Sequence, residues 1–243
     1  MSKKVALITG ANKGIGFETA RQLGAQGVTI LVGARDEKRG TEAVQKLQAE
    51  GVDAQFVQLN VTDTATHANA AKLIEENFGK LDILINNAGV LLDGGVKVSE
   101  TQTETWRTTF ETNVFSLIDL TQALLPLIKK SDAGRIVNLS SILGSLTLNR
   151  DPNSPIAASG FHNTAYNASK AALNMFTVHL ANELKDTHIK VNSAHPGWVK
   201  TDMGGEQAPM ELVDGAKTSV ALATLTDDGP TGAFIHLGET LPW

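Results

Sequence analysis

The sequence has no cysteine and a single tyrosine among its 243 residues. The absence of cysteine excludes disulfide bonds, cysteine nucleophiles and thiolate metal sites. The six histidines lack the spacing typical of metal ligands, so we expect no metal site. Neither a signal-peptide core nor an apolar run near the roughly 18 residues of a membrane span is found. The sequence therefore predicts a cytoplasmic protein that does not insert into membranes.

Concentrated positive charge is also missing. The formal net charge is −5, and the 21 lysine and arginine residues are scattered along the chain. A nucleic-acid binder is expected to carry a basic patch, so we expect no nucleic-acid partner. The length is sufficient for one α/β domain with a large buried core.

Short apolar runs alternate with amphipathic patterns along the whole chain. This alternation is typical of parallel strands joined by helical crossovers. It predicts a single doubly wound (Rossmann) α/β domain over residues 1–243, with a seven-stranded, mostly parallel sheet and helices on both faces. The predicted strands are 5–8, 28–32, 55–59, 81–85, 135–139, 189–194 and 233–237, and the predicted helices are about 14–26, 36–51, 62–78, 104–129 and 164–185.

The first apolar run leads into a glycine-rich turn, VALITGANKGIG at 5–16. Gly10, Gly14 and Gly16 permit positive φ, close approach of the backbone to a phosphate, and tight packing of helix on strand. The N–H groups at the start of the next helix then bind a phosphate. We interpret the turn as a dinucleotide site, and the alternative is a strand-to-helix turn without a ligand.

Basic residues follow the second strand, where an acidic side chain would bind the adenine ribose 2′-hydroxyl. Arg35 takes this place instead of Asp36, and Lys13 in the glycine loop can reach the same group. Two cations that pair with a 2′-phosphate predict NADP(H) rather than NAD(H). Arg39, one helical turn further on, is a weaker third candidate. The alternative for each is a solvated surface charge.

Asparagine and small residues end the third and fourth strands. Asn60-Val61 follows one strand, and Asn86-Asn87-Ala88-Gly89 follows the other. Both turns should face the ligand, because ligands bind beyond the carboxyl ends of parallel strands. The paired asparagines either contact the adenosine or brace neighbouring strands.

Reactive side chains are concentrated in Ser140-Ser141, after the fifth strand, and in YNASK at 166–170. Tyr166 and Lys170 are four residues apart and share a helix face. An ammonium about 4 Å from a phenol supplies about 4 kcal/mol at an effective dielectric constant of about 20, enough to lower the pKa by about three units. We therefore expect Lys170 to make Tyr166 an acid–base group. The alternative is a packed tyrosine beside a snorkelling lysine.

Six ordered motifs together resemble the short-chain dehydrogenase/reductase family, and within it most closely the NADPH-dependent carbonyl reductases. The resemblance covers nearly the whole chain. The matching segments are TGANKGIG at 9–16, NNAG at 86–89, ETNVF around Asn113, IVNLSS ending at Ser141, YNASK at 166–170, and PGWVKT at 196–201.

The resemblance implies catalytic roles. Tyr166 would protonate the substrate oxygen as hydride arrives, and Ser141 would polarise that oxygen, while Ser140 faces the core. Lys170 would bind the nicotinamide ribose and lower the Tyr166 pKa, and Asn113 would support a proton-relay water. Implied cofactor contacts are Gly10, Asn12, Lys13, Gly14, Ile15, Gly16, Arg35, Asn60, Val61, Asn87, Ala88, Gly89, Tyr166, Lys170, Pro196, Gly197, Val199 and Thr201.

Two features depart from the family pattern. Asn60 stands where the family usually has aspartate, which keeps an acceptor but loses a charge. The separation of Ser141 and Tyr166 exceeds the usual one, so we expect a loop insertion at about 146–163 beside the active site. This loop either walls the pocket, covers a dimer face or is a passive surface insertion, and the protein is either a monomer or a homodimer.

The predicted substrate is a hydrophobic ketone or aldehyde. The alternative functions are an NAD-dependent alcohol dehydrogenase and a dinucleotide-binding sensor without turnover. The residues expected to form the pocket are apolar or small, namely Ile142, Leu143, Leu146, Trp198, Met203 and the segment 91–96.

Overall fold

A central sheet with helices on both faces forms the molecule. The computed structural model describes residues 3–154, 156–157 and 163–243. The strands are β1 (Val5–Thr9), β2 (Thr29–Ala34), β3 (Ala54–Gln58), β4 (Ile83–Asn86), β5 (Arg135–Leu139), β6 (Lys190–Ala194), β7 (Phe234–His236) and β8 (Glu239–Thr240). Their order in space is β3-β2-β1-β4-β5-β6-β7-β8. The first seven strands are parallel, and β8 pairs antiparallel with β7.

Helices connect the parallel strands. Their bounds are α1 (Gly14–Ala25), α2 (Glu37–Ala49), α3 (Thr64–Phe78), α4 (Thr103–Phe110), α5 (Ser116–Ile128), α6 (Leu146–Arg150), α7 (Thr164–Glu183) and α8 (Leu212–Ala223). A π-helical turn (Glu111–Phe115) joins α4 to α5, and a 3-10 turn (Ile142–Gly144) precedes α6. Over the part of the chain that the structure describes, no helix combines the length and apolar character needed to span a bilayer.

Each face of the sheet buries its own apolar cluster. Side chains alternate along each strand, so Ile8 packs with α1, α2 and α8, whereas Leu7 packs with α3, α5 and α7. Both residues are fully buried. Because the inner strands are covered on both sides, β1, β2 and β4 are apolar at most positions instead of every second one.

The strand order reverses between β1 and β4, which creates a crevice at their carboxyl ends. The chain winds outward from β1 through β2 to β3, and then returns to place β4 on the other side of β1. In open α/β sheets this reversal is where ligands bind. The crevice receives the glycine loop after β1 and the asparagine turn after β4.

The structure corrects the predicted elements at several points. Within the described residues the sheet has eight strands instead of seven, because Leu237 (φ +46°) and Gly238 (φ +90°) form a tight turn that pairs β8 with β7. The predicted helix 104–129 is interrupted by the π-helical turn, and α8 was not predicted. The predicted loop 146–163 begins with α6, while its residues 155 and 158–162 lie outside the described residues.

Candidate active site

A groove of about 1350 Å³ lies over the carboxyl ends of β1, β2 and β4. Gly10 (φ +64°) and Gly14 (φ +60°) have the left-handed backbone that their loop requires. A Cβ on Gly16 would lie 2.8 Å from the Gly10 carbonyl oxygen. Because these three glycines line the groove and have no side chains, the loop presents main-chain atoms to it. The predicted cofactor residues that line it are Gly10, Asn12, Lys13, Gly14, Ile15, Gly16, Arg35, Asn60, Val61, Asn87, Ala88, Gly89 and Thr201.

The N terminus of α1 points at this groove. Its N-cap residue, Lys13, makes no side-chain capping hydrogen bond, and the first turn contains no acidic side chain. Gly14 and Ile15, which begin the helix, both line the groove. Backbone N–H groups in the first turn of a helix have no intrahelical acceptor, so this end suits a phosphate.

Arg35 and Asp36 have separate roles at the far end of the groove. Arg35 is exposed and lines the groove beside Asn60. The Asp36 carboxylate caps α2 by accepting from the Arg39 N–H at 2.9 Å. Neither Asp36 nor Arg39 is among the described residues that line the groove. Arg35 is therefore the cation at this end of the groove, and its contact with a ribose 2′-phosphate stays a prediction.

Lys13 forms an ion pair across the mouth of the groove. Its Nζ lies 2.5 Å from Asp202 Oδ2, and both side chains are exposed. An exposed pair of this kind contributes little to stability. Lys13 nevertheless has a competing partner, which was not expected from the sequence.

The asparagines after the strands act mainly as braces. Asn86 Nδ2 donates to Asn138 Oδ1 at 2.9 Å, and Asn87 Nδ2 donates to the Thr9 carbonyl at 2.8 Å. Asn60 Oδ1 accepts from the Thr62 backbone N–H and hydroxyl. Bracing is therefore observed for both members of the pair, although Asn87 also lines the groove.

A second cavity of about 580 Å³ adjoins the groove. Ile15, Thr201 and Met203 line both spaces. Pro196, Gly197 and Val199, expected to contact the cofactor, line this second cavity, whereas Leu146 does not and is 74% exposed. Leu146 was thus wrongly assigned to the pocket. The apolar side chains that line the cavity are Ile15, Leu91, Ile142, Leu143, Ile156, Pro196, Trp198, Val199 and Met203.

Ser141 and Tyr166 meet at the wall of this cavity, and both are 8% exposed. The Ser141 side chain interacts with Tyr166 closely enough to lower its pKa. Ser141 Oγ also accepts from the Leu143 N–H at 3.2 Å. Ser140 Oγ donates instead to Asn174 Oδ1 at 2.6 Å. The structure therefore distinguishes the two serines in the predicted sense.

Lys170 lies one turn beyond Tyr166 on α7 and is 4% exposed. Its Nζ donates to the Leu139 carbonyl at 2.7 Å and is 5.6 Å from the centroid of the Tyr166 ring. Although Lys170 does not itself line the groove, its Nζ would lie 3.6 Å from a Cβ built on Gly89 in the groove wall.

The expected lowering of the Tyr166 pKa by Lys170 is wrong for this structure. Burial raises the pKa of Tyr166 to about 12, although the hydrogen bond from Ser141 acts to lower it. Burial also lowers the pKa of Lys170 to about 8. Desolvation disfavours both charged forms, and it outweighs an ammonium held by Leu139. The phenol is thus a proton donor at neutral pH.

Asn113 lies in the π-helical turn and supports the segment after β4. Its side chain accepts from the Val90 N–H at 2.8 Å, and donates to the Val90 carbonyl at 2.9 Å and to Ser169 Oγ at 3.0 Å. A Cβ on Gly89 would lie 3.2 Å from Asn113 Oδ1. Asn113 therefore fixes the groove wall that Lys170 approaches, and its proton-relay role stays a prediction.

The sequence missed one site residue, His195, and included another, Asp93, only as part of the predicted pocket segment 91–96. His195 lines the second cavity and accepts through Nδ1 from the Ile142 and Gly197 N–H groups. Burial, with a smaller effect of His236, lowers the pKa of His195 to about 3, so the ring is neutral. Asp93 is buried behind the cavity wall and contacts the first turn of α7. No local pattern marks either role.

Comparison with known proteins identifies the family. A sequence profile described as short chain dehydrogenase matches residues 4–212. The chain belongs to the short-chain dehydrogenase family.

Named members of the short-chain dehydrogenase family resemble this chain over almost its full length. Carbonyl reductase (NADPH) 1 from Mus musculus is 35% identical over 100% of this chain and 99% of its own. The (+)-neomenthol dehydrogenase of Capsicum annuum is 33% identical over 98% of this chain and 97% of its own. The crystal structure of an NADPH-bound carbonyl reductase from chicken fatty liver superposes with a TM-score of 0.87 at 29% identity, covering 100% of both chains.

Proposed function

We propose that this protein reduces a hydrophobic ketone or aldehyde to an alcohol with NADPH. The observation that carries the proposal is that Ser141 and Tyr166 lie together at the wall of an apolar cavity adjoining the groove of the glycine loop. The mouse and chicken relatives named above are described as NADPH carbonyl reductases, which supports the same reaction.

The groove fits a dinucleotide phosphate in both shape and charge. Glycines of the loop line the groove, the N terminus of α1 faces it, and Arg35, which lines its far end, is assigned to the 2′-phosphate. Bound NADPH supplies the hydride that the carbonyl carbon takes up. Lys170, which approaches the groove at Gly89, is assigned to the nicotinamide ribose, and Val199 and Thr201 to the nicotinamide side.

The two hydroxyls divide the work on the substrate oxygen. Tyr166 gives its proton to the oxygen as the carbonyl carbon gains hydride, so that an alcohol and a phenolate result. Ser141 donates a hydrogen bond to the oxygen and then to the phenolate. The Tyr166 phenol is protonated at neutral pH, as this direction requires. Lys170, one turn further along α7, is assigned to return a proton to the Tyr166 phenolate. Asn113 contributes to the relay that carries this proton.

The cavity chemistry supports an uncharged, apolar substrate. Among the described residues lining it there is no lysine, arginine, aspartate or glutamate, and His195 is held neutral by burial. A substrate carboxylate would lose its hydration without gaining a charged partner, which costs several kcal/mol. The apolar walls favour the binding of ketones and aldehydes with aryl or alkyl substituents.

The first test is a screen of NADPH oxidation with aldehydes, ketones, quinones and keto esters. The sharpest comparison is a keto ester against the keto acid of the same skeleton, because the two differ chiefly in charge. We expect kcat/KM for the ester to be at least about 100-fold higher, from the cost of burying an unpaired carboxylate. A faster keto acid would contradict the cavity assignment. Absence of turnover across the panel would favour a binding protein without activity.

Cofactor choice is tested at Arg35. Replacing Arg35 by alanine should raise KM for NADPH about 10- to 100-fold and leave KM for NADH nearly unchanged, because only NADPH loses a charge-assisted hydrogen bond. Arg39→Ala is the matched control, since Arg39 is exposed but does not line the groove. Equal effects of both substitutions, or a wild-type preference for NADH, would contradict the role of Arg35 and favour the NAD-dependent alternative.

A further inference from the structure

The helix that carries Tyr166 is capped by a residue from a distant segment. Asp93, which is 1% exposed, lies in the segment between β4 and α4. Its Oδ2 accepts from the Ala165 N–H at 2.6 Å across 72 residues of sequence, and its Oδ1 accepts from the Tyr166 N–H at 3.4 Å. Asn163, at the N-cap position of α7, makes no side-chain capping hydrogen bond.

Asp93 therefore takes over the usual work of an N-cap residue. An N-cap side chain normally accepts from the second or third N–H of its helix, because these groups have no intrahelical acceptor. In α7, which begins at Thr164, those groups belong to Ala165 and Tyr166. The N-terminal end of the helix dipole further stabilises the buried carboxylate.

The same segment forms a wall of the substrate cavity. Leu91, Gly94 and Gly95 line the cavity together with Tyr166, while Asp93 is buried behind them. Val96 forms a parallel bridge with Asn163, which ties the segment to the residue before α7 a second time. The Asp93 carboxylate thus sets the distance between this wall and the catalytic hydroxyl.

We propose that Asp93 is a positioning residue that fixes Tyr166 against the substrate-cavity wall by capping α7 from the opposite segment. The proposal rests on the proposed carbonyl reduction. In that reaction Asp93 does not contact the reacting atoms, and it acts through the backbone of Tyr166. A small displacement of a catalytic group can cost up to about 100-fold in rate.

The test combines kinetics with amide hydrogen exchange. We expect Asp93→Ala to lower kcat about 10- to 100-fold, with the NADPH dissociation constant changed less than about twofold. Asp93→Asn keeps an acceptor oxygen, so kcat should remain within about threefold of wild type. Exchange at Ala165 and Tyr166 should accelerate at least tenfold in the alanine variant, because their N–H groups depend on this carboxylate.

Asp63→Ala is the matched control. Asp63 is an exposed N-cap that accepts from the Ala65 N–H at 3.1 Å and caps α3. It does not line the two cavities. Its loss should lower stability to the ordinary extent for a lost cap, with kcat unchanged.

The outcomes separate the two proposals. Unchanged exchange in Asp93→Ala would overturn the cap, and accelerated exchange with kcat within about twofold of wild type would reduce Asp93 to a structural role. An equal loss of kcat in Asp63→Ala would also overturn the positioning role. A wild-type protein that oxidises no NADPH with any carbonyl, despite protected Ala165 and Tyr166 amides, would overturn the proposed function and the positioning role with it.

Discussion

Tyr166→Phe should lower kcat by about 10³-fold and leave the NADPH dissociation constant within about twofold of wild type. The substitution removes only the hydroxyl that donates the proton, and the buried ring is kept. No other tyrosine is available to take over, because the chain has one. Steady-state kinetics at saturating NADPH, with cofactor binding followed by fluorescence, measures both quantities.

The adjacent serines provide a matched pair for the same mechanism. Ser141→Ala removes the hydroxyl that lies beside Tyr166 in the cavity wall and should lower kcat, whereas Ser140→Ala removes one that donates to Asn174 and should mainly affect stability. A Tyr166→Phe variant with wild-type kcat would remove the phenol from the mechanism. A loss of turnover explained wholly by lost NADPH binding would contradict the acid role equally.

Local patterns in the sequence were sufficient to predict most of the fold. The run that forms β5 was predicted with its observed bounds, because both faces of that strand are buried and most of its residues are apolar. The end of α3 at Phe78 was also confirmed. Apolar periodicity and capping act within a few residues, so they can be detected without tertiary information.

The missed elements depend on weak or nonlocal signals. The helix α8 has an apolar stripe at Leu212, Ala216 and Val220, but its N-cap, Glu211, makes no side-chain capping bond. The last hairpin turns at Leu237, a residue type that rarely takes positive φ, and β8 is only two residues long. The π-helical turn contains no glycine or proline that would mark it in the sequence. It is stabilised instead by packing around Asn113.

In the candidate site, too, the local features were predicted correctly and the nonlocal ones were not. The spacing of Tyr166 and Lys170 correctly placed both side chains near one another, since a helix face is a local property. The pKa values were misjudged, because the degree of burial around these residues is set by the whole fold. Asp93 was included in the predicted pocket segment, but its contact with α7 joins residues far apart in sequence.

Lys170→Met should abolish most activity and at the same time stabilise the cofactor-free protein. Burial lowers the Lys170 pKa from 10.5 to about 8, which corresponds to about 3 kcal/mol of destabilisation while the amine is charged. The hydrogen bond to the Leu139 carbonyl offsets about 1–2 kcal/mol of this cost. Methionine fills a similar volume without charge, so we expect a gain of about 1–2 kcal/mol, or roughly 2–8 °C in Tm.

The pH dependence of this gain identifies its cause. Below pH 8 lysine is charged in both states, and the full penalty applies to the wild type. From about pH 8 to 10.5 the unfolded chain binds more protons at this position than the folded protein, so wild-type stability rises with pH relative to the variant. The advantage of Lys170→Met should therefore shrink over this window and change sign toward its upper end, because the full shift of about 3 kcal/mol exceeds the gain of about 1–2 kcal/mol.

Chemical unfolding without cofactor at pH 7, 8, 9 and 10 measures the difference in the free energy of unfolding. Lys72→Met is the control, because Lys72 is 75% exposed and its partner Glu76 is 3.9 Å away. It should show no such change with pH. A Lys170→Met variant that is less stable at pH 7, or whose difference from wild type is constant with pH, would mean that the buried ammonium is fully compensated. The protein would then hold a charged Lys170 in its active site without the loss of stability that burial otherwise causes.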